Sequence, residues 1–270
     1  MPWLQTGSTI QGEATSDHFG YQTVFSDDGS ILAISGPWND KNGIGAGHVE
    51  VYQYINSEWS QLGNDLIGQS DGWAQGDLFG YALSLSSDGQ KIAIGNFGSE
   101  GGGELNNSGH VSVYEYVNNQ WVQIGTDIDG EAESDFSGST LSLSSDGNTV
   151  AIGAYPNDGN GTDSGHVRIF KCTNNEWIQV GDDIDGEAAG DYSGISVSLS
   201  NDGNTVAIGA TNNDGNGSDS GHVRVYEYTN NQWVQVGSDI DGEAEGDNFG
   251  ASVKLSSDGK LVAISAPFND

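Results

Sequence analysis

Residues 139–181 read STLSLSSDGNTVAIGAYPNDGNGTDSGHVRIFKCTNNEWIQVG. Ser139–Leu143 alternates apolar and polar side chains, the period of a half-buried strand. Ser145-Asp146-Gly147-Asn148 follows as a tight turn, and Thr149–Gly153 is a second strand of small and β-branched residues. Asn157–Gly165 is a polar, glycine-rich loop; His166–Lys171 alternates again. Thr173-Asn174-Asn175 turns the chain into a fourth strand, Trp177–Gly181, and an acidic loop over 182–191 leads onward.

The same block recurs. G-H-V stands at Gly47-His48-Val49, Gly109-His110-Val111, Gly165-His166-Val167 and Gly221-His222-Val223, each followed by a tryptophan: Trp59, Trp121, Trp177 and Trp233. The last three tryptophans lie 56 residues apart. A fixed period means one supersecondary unit copied along the chain. Four short antiparallel strands per unit, repeated in tandem, are the pattern of a β-propeller blade. A β-solenoid has shorter repeats, and a β-sandwich has no near-identical copies. The expected architecture is therefore all-β: a β-propeller of five blades, each a four-stranded antiparallel sheet, in one domain over 1–270. The units run approximately 7–63, 64–125, 126–181, 182–237, and 238–270 plus 1–6.

Short motifs add a resemblance. Phe19-Gly20, Phe79-Gly80 and Phe249-Gly250 precede the first strand of their units. Ser265-Ala266-Pro267 ends a second strand, with weaker versions at Ser35-Gly36-Pro37 and Gly153-Ala154-Tyr155-Pro156. In these features the chain resembles the FG-GAP repeat family that builds integrin α-chain propellers, and most nearly its short bacterial and marine variants. The third and fourth units depart from the motif: Phe136-Ser137-Gly138 and Tyr192-Ser193-Gly194 place the aromatic one position earlier. The resemblance implies that the first strand is innermost and the fourth outermost. It also implies that Trp3-Leu4-Gln5, a fourth strand with no unit before it, closes the ring beside the incomplete last blade at Leu261–Ser265. That blade lacks a third strand, because G-H-V occurs four times while its neighbours occur five. A three-stranded blade, a strand from a neighbouring chain and a natural continuation past Asp270 are the three explanations.

Composition narrows the partners. The chain carries 39 acidic and 7 basic side chains, a net charge of −32. Phosphate recognition needs clustered Lys and Arg, so nucleic acid is excluded as a partner, and an anionic membrane surface is disfavoured for the same reason. Like charge of this size calls for salt or bound cations. With Gly 42 and Pro 4, tight turns abound. Cys172 is the only cysteine, so no internal disulfide forms. No apolar run is long enough to insert into a membrane, and Met1–Gly7 lacks the features of a signal peptide. Extracellular, cell-surface and virion locations all fit.

In an up-and-down meander, alternate loops share a face. Most acid falls in the loops after the second and fourth strands, so one face of the disc is expected to be negative, and the integrin resemblance makes that face the ligand side. Calcium is the candidate cofactor. Asp158, Asn160 and Asp163, copied as Asp214, Asn216 and Asp219, set oxygen donors at intervals along a loop; the plainer reading is that these residues cap their own turns. The integrin-type cation loop, between the first and second strands, is not carried over, because that turn holds one acid, such as Asp146. Glu131 with Asp135, and their copies, recur in too many units for a catalytic pair, which needs one unique environment. They read as turn caps, the four strand-opening histidines as hydrogen-bonding packers, and the repeated tryptophans as packing between blades. His18, Trp38 and Trp73 break the repeat and stand as ligand-binding candidates. No catalytic residues are assigned. The preferred reading is a non-enzymatic module that binds protein or glycan through the acidic face, in adhesion or ligand recognition. The alternatives are a structural protein that self-associates through the incomplete blade, and a five-bladed lectin.

Overall fold

The computed structural model describes residues 4–69, 76–98 and 107–270. Every regular element among them is a strand. The fourth unit shows the pattern: Ser196–Leu199, Thr205–Ala210, His222–Thr229 and Gln232–Gln235 pair in that order, antiparallel, as neighbours in one sheet. The first three units repeat this order. The outer strand is split. Gln232–Gln235 pairs only with the second half of His222–Thr229, while a two-residue strand, Ile240–Asp241, pairs with its first half. Part of what reads as acidic loop thus continues the sheet edge beyond a kink at Gly237, whose φ is +79°.

Packing between sheets explains the strand composition. Val206 and Ile208 of the second strand are buried against the third unit, with Ala151, Val167 and Ile169. Ala207, on the opposite side of the same strand, packs with Val253 and Leu255 of the fifth unit. The second strand is apolar on both sides because it is covered on both. Its large residues face the preceding blade and its small ones the following blade. Beside Ala207 stands Gly209, where a Cβ would lie 2.1 Å from the Gly250 carbonyl oxygen of the next blade.

Two further devices join the blades. The turns between first and second strands link across the seams: Asp27 N donates to Ser87 O, Ser87 N to Ser145 O, Ser145 N to Asn201 O and Asn201 N to Ser257 O, at 2.9–3.0 Å. On the outer side, Trp121, Trp177 and Trp233 donate their indole N–H groups to Leu62 O, Ile124 O and Val180 O of the preceding blade at 2.8–2.9 Å. The tryptophans are inter-blade clamps, as their repetition indicated.

The closing strand departs from expectation. The fifth unit holds only Ser252–Leu255 and Val262–Ser265, as a two-stranded sheet. Leu4 is 81% exposed and Leu261 73%. Gly7 instead packs on Trp59, and Ser8 donates from N and Oγ to Glu58, so the N-terminal segment lies on the first blade's outer strand. Trp3 lies outside the described residues. The reason is hydrogen bonding: in every complete blade the fourth strand pairs with the third, never with the second. Without a third strand, Leu4 and Gln5 have no ladder beside Val262–Ser265. Among the described residues no hydrogen bond or strand pairing joins the fifth unit to the first.

Gly209→Ala should destabilise the array by about 2 kcal/mol or more, because backbone rather than a movable side chain blocks the added methyl. Trp233→Phe keeps most of the packing and loses one hydrogen bond, costing about 1 kcal/mol. Denaturant unfolding of the two variants checks this order.

Candidate functional site

The loops after the second and fourth strands share one face and interlock. Gly190 N donates to Thr162 O, Tyr192 N to Asp163 O, and Asn248 N to Asp219 O, all at 2.9–3.2 Å. Much of the acid here is taken up by its own loop. Asp158 Oδ1 accepts from Asp163 N at 2.8 Å, and Asp214 Oδ1 from Asp219 N at 2.9 Å. Asn160 Nδ2 donates to the Gly186 and Glu187 carbonyls, and Asn216 Nδ2 to Gly242 O. Asp163 and Asp219 hold φ near +55°, the last residues of closed turns. Asp135, Asp191 and Asp247 are buried and accept amide protons from Asn157, Asn213 and Asn269 at 3.0 Å. Asp135 also caps Ala132 N, as the turn-cap reading expects, and burial raises its carboxyl above the usual range.

Aromatic side chains occupy the inner part of this face. Trp38 touches His18 (ring centroids 4.6 Å) and Tyr21 (5.2 Å); Tyr21 touches Tyr81 (5.1 Å), and Tyr81 touches Phe97 (4.2 Å). The contacts continue from Phe97 to Phe136, Tyr155 and Tyr192 at 5.3–6.3 Å. One ribbon of eight rings therefore crosses four blades. His18 and Tyr21 are exposed and the other six half-buried. Burial and the Tyr81 hydroxyl hold the Tyr21 phenol well above its ordinary pKa, so it stays a neutral hydrogen-bonding group.

The displaced aromatics of the third and fourth units gain a meaning here. Residues 18, 78, 136, 192 and 248, just before the FG position, all have φ of 50–59°. The next residue turns inward: Phe79 is 2% exposed and bridges Gly47 of the preceding blade. Phe136 and Tyr192, one step earlier, turn outward into the ribbon, and buried serines replace the inward ring. Between the first two blades the ribbon borders a groove of about 630 Å3, lined by Tyr21, Trp38, Tyr81 and Phe97, with Asp40 and Ile44 at its rim. Trp38 and His18 are thus brought together, while Trp73 lies outside the described residues. Tyr21, Tyr81, Phe97 and Tyr155 escaped the sequence reading because each resembles an ordinary strand-end aromatic.

Metal-competent donors converge away from the predicted loops. Among the described residues, Glu13 with Glu50 and Asp65, Glu131 with His166 and Asp183, and Glu187 with His222 and Asp239 form groups that could hold an ion. His48, His166 and His222 are buried, but the expected hydrogen bonding is incomplete: both ring nitrogens of His48 and Nδ1 of His222 make no hydrogen bond. Burial lowers His166 to a pKa of about 4.

Known proteins place the fold. Kuenenia stuttgartiensis hydrazine synthase has 18% identity and a TM-score of 0.56, covering 97% of this chain and 58% of its own. The periplasmic gluconolactonase of Pseudomonas aeruginosa has 16% identity and a TM-score of 0.57, with 90% and 63% covered. A putative 6-phosphogluconolactonase from Bacteroides uniformis has 13% identity and a TM-score of 0.54, with 91% and 77% covered. The chain spans about three-fifths of the length of the first two. At such identities the likeness is one of fold, a β-propeller. No curated protein matches the sequence.

Because the ring of His166 is neutral when folded, its contribution to stability is full above the unfolded value near 6.5 and is lost as pH falls to about 4. NMR titration should show His166 ring signals with a midpoint near pH 4; a midpoint near 6.5 contradicts the burial.

Residues 126–170 and 184–226 both match the FG-GAP repeat family, so the third and fourth units carry FG-GAP repeats within a chain folded as a β-propeller.

Proposed function

We propose that the protein is a non-enzymatic recognition module whose ligand lies along the aromatic ribbon of the acidic face, and that the ligand is an extended glycan. The ribbon carries this reading. Eight contiguous rings, with acids and amides at their border, offer flat apolar platforms beside hydrogen-bonding groups. Sugar rings have apolar faces and polar edges and match that arrangement. The net charge of −32 selects against polyanionic chains and favours neutral or amine-bearing ones. A protein ligand rich in Lys would use the same rings through cation–π contact. Adhesion is the role that such a surface serves. The absence of catalytic chemistry is part of the proposal, and the lactonase names belong to proteins that share only the fold. Calcium enters as a diffuse counter-ion of the acidic face rather than as a ligand of one loop.

A second reading rests on a separate observation. Among the described residues no strand pairs outside the edge of Val262–Ser265, and Ala263 is exposed where Ala207 is fully buried. An unpaired edge is an assembly surface. Light scattering tests it: a monomer at high protein concentration removes self-association from the account.

A glycan array should return neutral or amino-sugar chains. Trp38→Ala and Tyr81→Ala should each weaken binding by about tenfold or more without lowering the unfolding temperature in proportion. Undiminished binding in both variants refutes the ribbon as the site. Added calcium should raise the unfolding temperature beyond sodium chloride of equal ionic strength; an equal rise removes calcium.

A further inference from the structure

Two seams of the disc repeat one arrangement of donors. In the fourth unit Glu187 comes from the loop before the first strand, His222 opens the third strand, and Asp239 follows the fourth. Their donor atoms lie within 4.8 Å of one another, and Glu131, His166 and Asp183 repeat the group one unit earlier. The side chain of His222 is 2% exposed, its Nδ1 has no hydrogen-bond partner, and that atom faces Glu187 Oε2 at 3.7 Å. One buried ring nitrogen without a hydrogen-bond partner and two carboxylates thus converge on one point.

The first unit shows what fits such a place. There Lys41 Nζ stands 3.2 Å from Glu13 Oε1 and 2.6 Å from Asp65 Oδ2, bridging the counterparts of Glu187 and Asp239. Lys41 aligns with Gly159 and Gly215, so the third and fourth units have no tethered ammonium at that seat. In the second unit Gln69 replaces the glutamate, and no metal-competent group forms there among the described residues. Arg224, where the first unit has Glu50, reaches the other oxygen, Glu187 Oε1, at 3.8 Å and donates to Asp185 O at 2.7 Å. Gln235 holds Asp239 Oδ1 at 2.6 Å, orienting that carboxylate.

We propose that Glu187–His222–Asp239 and Glu131–His166–Asp183 are two seam sites for a divalent d-block ion of the zinc class, each with one imidazole nitrogen, one oxygen from each carboxylate and a water. Calcium and magnesium take oxygen donors, whereas a mixed nitrogen and carboxylate set with an open fourth position suits zinc. Ligands about 2.1 Å from a tetrahedral ion stand about 3.4 Å apart. Glu187, 45% exposed, closes that distance by a rotamer change. The ion does in these seams what Lys41 does in the first, tying the entry loop of a blade to its outer strand.

Zinc titration of the chelator-treated full chain, followed by calorimetry and by cobalt absorption, tests the sites. Two ions should bind per chain. Glu187→Gln and Asp239→Asn should each remove one, and Glu131→Gln the other. Gly215→Lys installs the first unit's ammonium in the fourth and should also remove one, without lowering the metal-free unfolding temperature. Zinc should raise the unfolding temperature of the native chain but not of the Glu131→Gln/Glu187→Gln variant. No binding at micromolar zinc, an unchanged stoichiometry in Glu187→Gln or Gly215→Lys, or an equal response to calcium at matched ionic strength overturns the proposal.

Discussion

The close approach of one blade's second strand to the next blade's backbone is the constraint on which this molecule depends. Gly95, Gly153 and Gly209 sit where a Cβ would lie 2.0–2.3 Å from the carbonyl oxygen of Gly138, Gly194 and Gly250. No side chain fits there. The glycine and the alanine two residues before it make one side of the strand thin, and the next blade's valine and isoleucine fill the space. Blades packed this closely bring their loops into register. The interlocked loop face, the aromatic ribbon and the donor seams all follow from that spacing.

The period, the strands and the tryptophan clamps were legible in the sequence because they are local or repeated. Period-2 alternation and Asp-Gly turns mark strands residue by residue. The capping of their own turns by Asp135 and its copies also followed from turn chemistry. Ring closure was not legible, since it depends on which strand offers a free hydrogen-bonding edge. The split outer strand was hidden because Ile184-Asp185 and Ile240-Asp241 are too short to show a period.

Charge was legible in amount but not in use. A count of acids predicts a negative face and says nothing of which carboxylates are spent. Asp158 and Asp214 are engaged by their own loops, so their spacing overstated their freedom. Glu187, which reads like a turn cap, instead reaches His222 and Arg224 across the blade. The difference lies in tertiary distance, which residue type and spacing do not carry.

Copies within one chain act as controls on one another. What is constant across the second, third and fourth units, the close-packed glycine and the clamp, holds their blades together. What varies sets the chemistry at equivalent places. A one-residue shift of an aromatic, from the position of Phe79 to that of Phe136, moves a ring from the seam to the surface while the backbone keeps the same left-handed turn. Exchange of Lys41 for glycine removes a cation from between two carboxylates, and exchange of Glu50 for arginine partly restores the balance from the opposite side. Such exchanges change the electrostatics of one seam without altering its spacing, because the constraint that sets the spacing lies at the inner strands. A repeat fold of this kind can therefore acquire a site in one unit at little cost to the others.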